Sequence, residues 1–200
     1  MAKTAGRVVV AMGLVVVGLA GITPAASAAK LESPVRSITL MVLVDNRAGV
    51  PAKILEKARE DAERVFQDMK IAIVWLEPGD ARLGTPDVFT SVDVVRLLPQ
   101  AMTDQMNAPS LCGLAEAGTR VAYVFYNRIQ RVSSIRTDAD TGNILGHVIA
   151  HEIGHLLLPP NAHSRFGIMQ AVLDQRLAAM NGLFFTPSQA RSIRTRLGAN

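Results

Sequence analysis

The chain has 200 residues, 49% of them apolar and 19% charged, with a formal net charge of +4. That balance excludes a disordered chain and permits one buried core of ordinary domain size. A single cysteine excludes an internal disulfide framework and any multi-cysteine zinc or iron–sulfur site, and the body of the chain has no twenty-residue apolar run of the kind that spans a bilayer.

The N-terminus reads as a leader. Lys3 and Arg7 precede the uncharged run 8–22, which is followed by Pro24 and the small residues Ala25, Ala26, Ser27, Ala28 and Ala29. A basic start, a short apolar middle and an A-x-A-like end mark residues 1–28 as a secretory signal peptide cleaved near Ala28. An uncleaved anchor is the alternative, but the apolar run falls short of the ~20 residues that span a bilayer. The expected product is a single secreted or periplasmic domain, 29–200, with no stable membrane association after cleavage. Its 19 basic and 17 acidic side chains leave a charge of only +2. Scattered basic residues and few aromatics argue against a nucleic-acid partner. In an exported chain the lone Cys112 is a free thiol or an intermolecular partner, and its expected role is that of a small buried apolar side chain.

Residues 38–44 (ITLMVLV) form a continuous apolar, β-branched run, as expected of a strand buried on both faces. The stretch 45–49 turns the chain, and Pro51 suits the first turn of a helix. Over 52–69, Ile54, Leu55, Ala58, Ala62, Val65, Phe66 and Met69 make one face of an amphipathic helix. Residues 71–76 (IAIVWL) read as a second buried strand, and strand–helix–strand within so short a span implies a parallel crossover. A third strand is expected at 92–98 and a fourth at 121–126 (VAYVFY). Between them, 99–119 has no clear periodicity and reads as a long loop of the kind that often serves a binding site. A polar stretch, 127–140, leads to a helix over 141–158, stopped by Pro159 and Pro160. Another helix is expected within 170–180. Thr186, Pro187 and Gln189 have the pattern of a capping box opening a last helix to about residue 197. The whole is one α+β domain around a mostly parallel sheet of four to five strands.

All four histidines, His147, His151, His155 and His163, fall in one short window. His151-Glu152-Ile153-Gly154-His155 is an HExxH motif on the expected helix. Residues four apart share a helical face, so two imidazoles close on one ion. A catalytic zinc takes three protein ligands and keeps an open position for water. Zinc lowers the pKa of that water towards ~7, and Glu152, beside the first ligand, is placed to act as general base and later to protonate a leaving amine. Gly154 inside the helix costs roughly 1 kcal/mol relative to alanine, which makes sense if a side chain there would obstruct close packing or a cleft. No glutamate follows Glu152, so the third ligand is expected to be His163, beyond the prolines where the chain can turn back beneath the metal, in preference to Asp174, the only downstream acid. His147, one turn before His151, is either a partner of the site or a partly buried helix histidine. Tyr123 and Tyr126 are expected to pack, and Met169 to fill core.

From His151 to His163, followed by Gly167-Ile168-Met169, the sequence resembles the active site of the metzincin zinc peptidases, which carry HExxHxxGxxH and then a turn with a methionine beneath the metal. The resemblance implies His151, His155 and His163 as ligands of one Zn2+, Glu152 as general base and Met169 as the turn methionine. It also implies a metzincin-like domain in which an active-site helix follows the last main strand and helices close the chain. The chain departs from that pattern at Leu158, where the family has glycine, at Asn161, where it has the third histidine, and at Ala171, where some members have a tyrosine. The expected activity is a secreted zinc-dependent endopeptidase acting on peptide or protein substrates. The alternatives are an HExxH hydrolase using Asp174 and a non-catalytic secreted module that binds zinc for structure.

Overall fold

The computed structural model describes residues 38–85, 92–106, 112–116, 118–133, 137–172 and 174–198. The expected leader and its cleavage site lie outside them. Among the described residues no helix is long and apolar enough to cross a membrane.

Among the described residues five strands form one sheet in the order β2-β1-β3-β5-β4: β1 (Ile38–Asn46), β2 (Ile71–Leu76), β3 (Asp93–Leu98), β4 (Gly113–Ala115) and β5 (Val121–Phe125). The pairs β1–β2, β1–β3 and β3–β5 are parallel, while β4 runs antiparallel along β5 at the edge. Among the described residues six α-helices accompany them: α1 (Ala52–Gln67), α2 (Gln100–Gln105), α3 (Tyr126–Val132), α4 (Asp138–Leu157), α5 (Gln175–Ala179) and α6 (Pro187–Arg196).

The strands are not equally buried on their two faces. In β1, Ile38, Leu40, Val42 and Val44 are buried, whereas Met41, Leu43 and Asp45 between them are half-buried. The register carries the buried row into Val95 and Leu97 of β3 and Ala122 and Val124 of β5. These side chains join the core with α1 and α4, whose buried rows run Ile54, Ala58, Ala62, Val65 and Ile144, Val148, Ile149, Ile153. Burial of such a stripe is what holds an amphipathic helix onto a sheet.

α1 and α4 cross closely. A Cβ placed on Gly146 would lie 2.5 Å from the Ala58 carbonyl oxygen and 2.8 Å from the Asp61 Cβ, so only a glycine fits at the crossing. Beside it, the fully buried His147 ring directs Nδ1 at Asp61 of α1, and the same nitrogen lies 3.0 Å from the Asn143 carbonyl oxygen. Asp61 also accepts from Arg64 at 2.9 Å. One buried polar knot therefore sits in the helix interface, and removing either partner would leave the other unpaired away from water.

Four expectations change. The segment 99–119 is not structureless: it contains α2 and the edge strand β4. The polar stretch 127–140 contains α3, and α4 starts at Asp138 because Thr137 and Asp140 cap each other reciprocally. The helix expected over 170–180 is reduced to α5, with Asp174 as its cap. Strand β1 has one well-buried face rather than two. The last helix stands as expected, with Thr186 capping it and Pro187 at its start.

Candidate metal centre

His151 and His155 project from consecutive turns of α4, and Pro159 and Pro160 end that helix just beyond them. The chain then turns at Asn161, whose φ of +62° lies in the left-handed region that asparagine tolerates better than most side chains. That turn brings His163 back. The His155 and His151 Nε2 atoms are 3.1 Å apart, and His155 and His163 Nε2 are likewise 3.1 Å apart. Ligand atoms of all three residues lie within 4.8 Å of one another. Nitrogens bound to a tetrahedral zinc at ~2.0–2.1 Å are about 3.3 Å from each other, so the spacing suits such an ion.

Two of the rings, His151 and His155, are held in the form a cation needs. His151 Nδ1 donates to the Ile168 carbonyl oxygen at 2.7 Å, which fixes the tautomer and turns the Nε2 lone pair to the centre. Burial holds His151 below the usual histidine range. Burial, with His151 and His163 alongside, lowers His155 to about 4. The three imidazoles crowd together with no carboxylate in their group, a donor set that suits a transition-metal cation. Beside His163, an open depression of about 350 Å³ is lined by Leu158, Pro160, Ser164, Thr186 and Ser192.

Glu152 is buried between α4 and the edge strand. A Cβ on Gly113 of β4 would lie 2.6 Å from the Glu152 Cδ and would also overlap Oε1, so the carboxyl occupies the space that a side chain at 113 would take. Burial pushes the carboxyl up to about 8, and the Ala115 backbone N–H, directed at it, opposes the shift. A cation nearby draws such a group back towards its ionised form. Beneath the helix, Gly154 accounts for its own cost: a Cβ there would lie 2.6 Å from Met169 Sδ and 2.8 Å from Phe185 Cε1. Met169 is fully buried at that contact.

The other candidates lie elsewhere. Asp174 accepts from the backbone N–H groups of Arg176 and Leu177, both at 3.0 Å, so its carboxylate serves as the cap of α5 and is not brought to the imidazoles. His147 faces α1. Tyr126 is buried in the core, and Tyr123 lies half-buried under Arg96. Cys112 is a free thiol packed against the core, and burial raises its pKa. Residues that sequence reasoning missed are Gly113 and Ala115, since a three-residue strand carries no alternation to read.

No protein-family model matches the sequence, and no curated protein does. Among solved structures, the fold is similar to that of a zinc-dependent peptidase from Methanocorpusculum labreanum, with a TM-score of 0.54 and 15% identity over 77% of this chain and 99% of that one. An archaemetzincin from Methanopyrus kandleri aligns at 15% identity over 84% of this chain and 99% of its own, with a TM-score of 0.47. At such identity the first likeness is one of fold.

Proposed function

We propose that this chain is a zinc-dependent endopeptidase of metzincin-like architecture, with His151, His155 and His163 as ligands of one Zn2+ and Glu152 as general base. One observation carries the reading: the Nε2 atoms of His151 and His163 each lie 3.1 Å from His155 Nε2, next in the chain to a carboxyl buried against the sheet edge. A shared fold with a protein described as a zinc-dependent peptidase supports it. Zinc, when bound, supplies Lewis acidity, acidifying a water and polarising a scissile carbonyl. Glu152 takes the proton from the attacking water and delivers it to the leaving amine. His151, through Ile168, keeps its lone pair on the centre throughout. Met169, packed under Gly154, serves as the turn methionine. A purely structural site has no use for Glu152 and favours four protein ligands. The leader expected from the sequence at 1–28 would give it an extracytoplasmic place of action.

The purified protein is expected to hold one equivalent of zinc and to cleave a peptide library in a chelator-sensitive way. His163→Ala should lower zinc content and remove cleavage, while Asp174→Ala should retain both and lose only about 1 kcal/mol of stability with its helix cap. Full zinc occupancy in His163→Ala, measured by metal analysis, would contradict the assignment. Gly113→Ala should leave zinc bound and lower kcat by roughly 100-fold, because even about 1 Å of displacement of a catalytic group carries that penalty. Unchanged steady-state kinetics in that variant would mean that the Glu152 seat against β4 is unimportant.

A further inference from the structure

Gln189 is nine-tenths buried in the first turn of α6, and its capping role uses only half of its amide. The Oε1 atom accepts from the Thr186 N–H at 3.0 Å, which completes the capping box. The other end faces away from that cap. Nε2 donates to the Ala162 carbonyl oxygen and to Ser164 Oγ, both at 3.2 Å. Those two residues flank His163 in the chain. Ser164 is itself tied down, since its N–H donates to the Met169 carbonyl at 2.8 Å and its hydroxyl to the Phe166 carbonyl at 2.7 Å.

The three imidazoles therefore have unequal support. His151 and His155 ride on a twenty-residue helix. His163 is exposed, on a segment that is neither helix nor strand. We propose that Gln189 is a positioning residue for His163, its NH2 group clamping both chain neighbours of the third imidazole to the start of the last helix. The clamp rests on the zinc reading above, in which His163 is a ligand. Residues that orient a ligand from behind commonly govern metal affinity by 10–100-fold.

Gln189→Glu separates the clamp from the cap. Glutamate keeps an oxygen for the Thr186 N–H and is the other residue favoured at that capping position. It places a second oxygen, instead of NH2, against the Ala162 carbonyl. Thr186→Val does the reverse, removing the cap hydroxyl and leaving the amide in place. Zinc affinity is read by competition with a chelating dye, and ligand geometry by the visible spectrum of the cobalt-loaded protein. Metal-free thermal unfolding reads the helix.

Gln189→Glu is expected to bind zinc about 10–100-fold more weakly, with an altered cobalt spectrum, and to lower Tm because its carboxylate is buried against a carbonyl oxygen. Thr186→Val is expected to lower Tm by roughly 2–4 °C and to keep zinc affinity within about twofold. Zinc affinity and cobalt spectrum unchanged in Gln189→Glu would reduce Gln189 to a cap and overturn the proposal. If that variant does not fold, Ser164→Ala removes one of the two clamp acceptors. It must then weaken zinc binding at unchanged Tm, and parental affinity in it overturns the proposal equally. His163→Ala runs alongside. Loss of affinity there with none in Gln189→Glu defeats the clamp alone, whereas a parent that binds no zinc defeats the zinc reading and the clamp together.

Discussion

Glu152→Gln is expected to lower peptide hydrolysis by about 10²- to 10⁴-fold while leaving zinc in place, the range that loss of a positioned acid–base group produces. Glutamine keeps the shape of the side chain against Gly113 and cannot take a proton from water. Metal analysis and single-turnover cleavage distinguish this from a folding defect. A variant that retains zinc and hydrolyses at the parental rate removes Glu152 from the chemistry. Stability should move the other way. The folded carboxyl sits at about 8, above its ordinary value of 4.5, so ionising it costs more in the folded than in the unfolded chain. In the metal-free protein this penalty is absent below about pH 4.5, grows as pH rises to about 8 and is constant above. Glutamine never incurs it, so above pH 8 the variant should melt at a higher temperature than the parent. That is the stability–activity exchange expected of a group kept for catalysis.

Gly146→Ala should be strongly destabilising although it adds a single methyl group. Alanine favours a helix over glycine by about 1 kcal/mol, so propensity alone predicts a gain. Packing opposes it. The new Cβ would stand 2.5 Å from the Ala58 carbonyl oxygen, a backbone atom that no rotamer change can move aside. α1 must retreat, and with it Asp61 leaves the buried His147 ring. Overpacking of this kind and a loosened buried polar pair together outweigh the propensity gain, for a net loss of about 2–4 kcal/mol. In a domain of this size that corresponds to roughly 5–15 °C in Tm. Thermal and urea unfolding measure it, and an unchanged or raised Tm would mean that the helices part without cost.

The sequence disclosed these features unequally. Strands β1 and β2 and helix α1 were readable because each is an uninterrupted apolar run or a full helical stripe, and burial of that stripe is local information. The faces of β1 were misjudged because an apolar run does not show which side the helices cover. Helix α3 was hidden because it buries only Tyr126 and Ile129, too few to show a period. His151 and His155 were legible from their four-residue spacing. His163 was preferred to Asp174 because the chain can turn back after the prolines, but the path of that turn, and Asp174 as a helix cap, are seen only in the fold. Gln189 was recognised as a cap, but the direction of its NH2 group depends on a contact 25–27 residues away along the chain.

The left-handed turn at Asn161 has a consequence for how such chains are found. His163 comes within 3.1 Å of His155 after an eight-residue step, two longer than the motif it resembles. What an ion requires is an imidazole in place, and a proline-stopped helix followed by an asparagine turn delivers it as well as a glycine does. A search keyed to fixed spacing passes over any chain built this way. One that asks for HExxH, a helix stop, a residue tolerant of positive φ and then histidine would retrieve it, and would gather relatives whose loops differ in length.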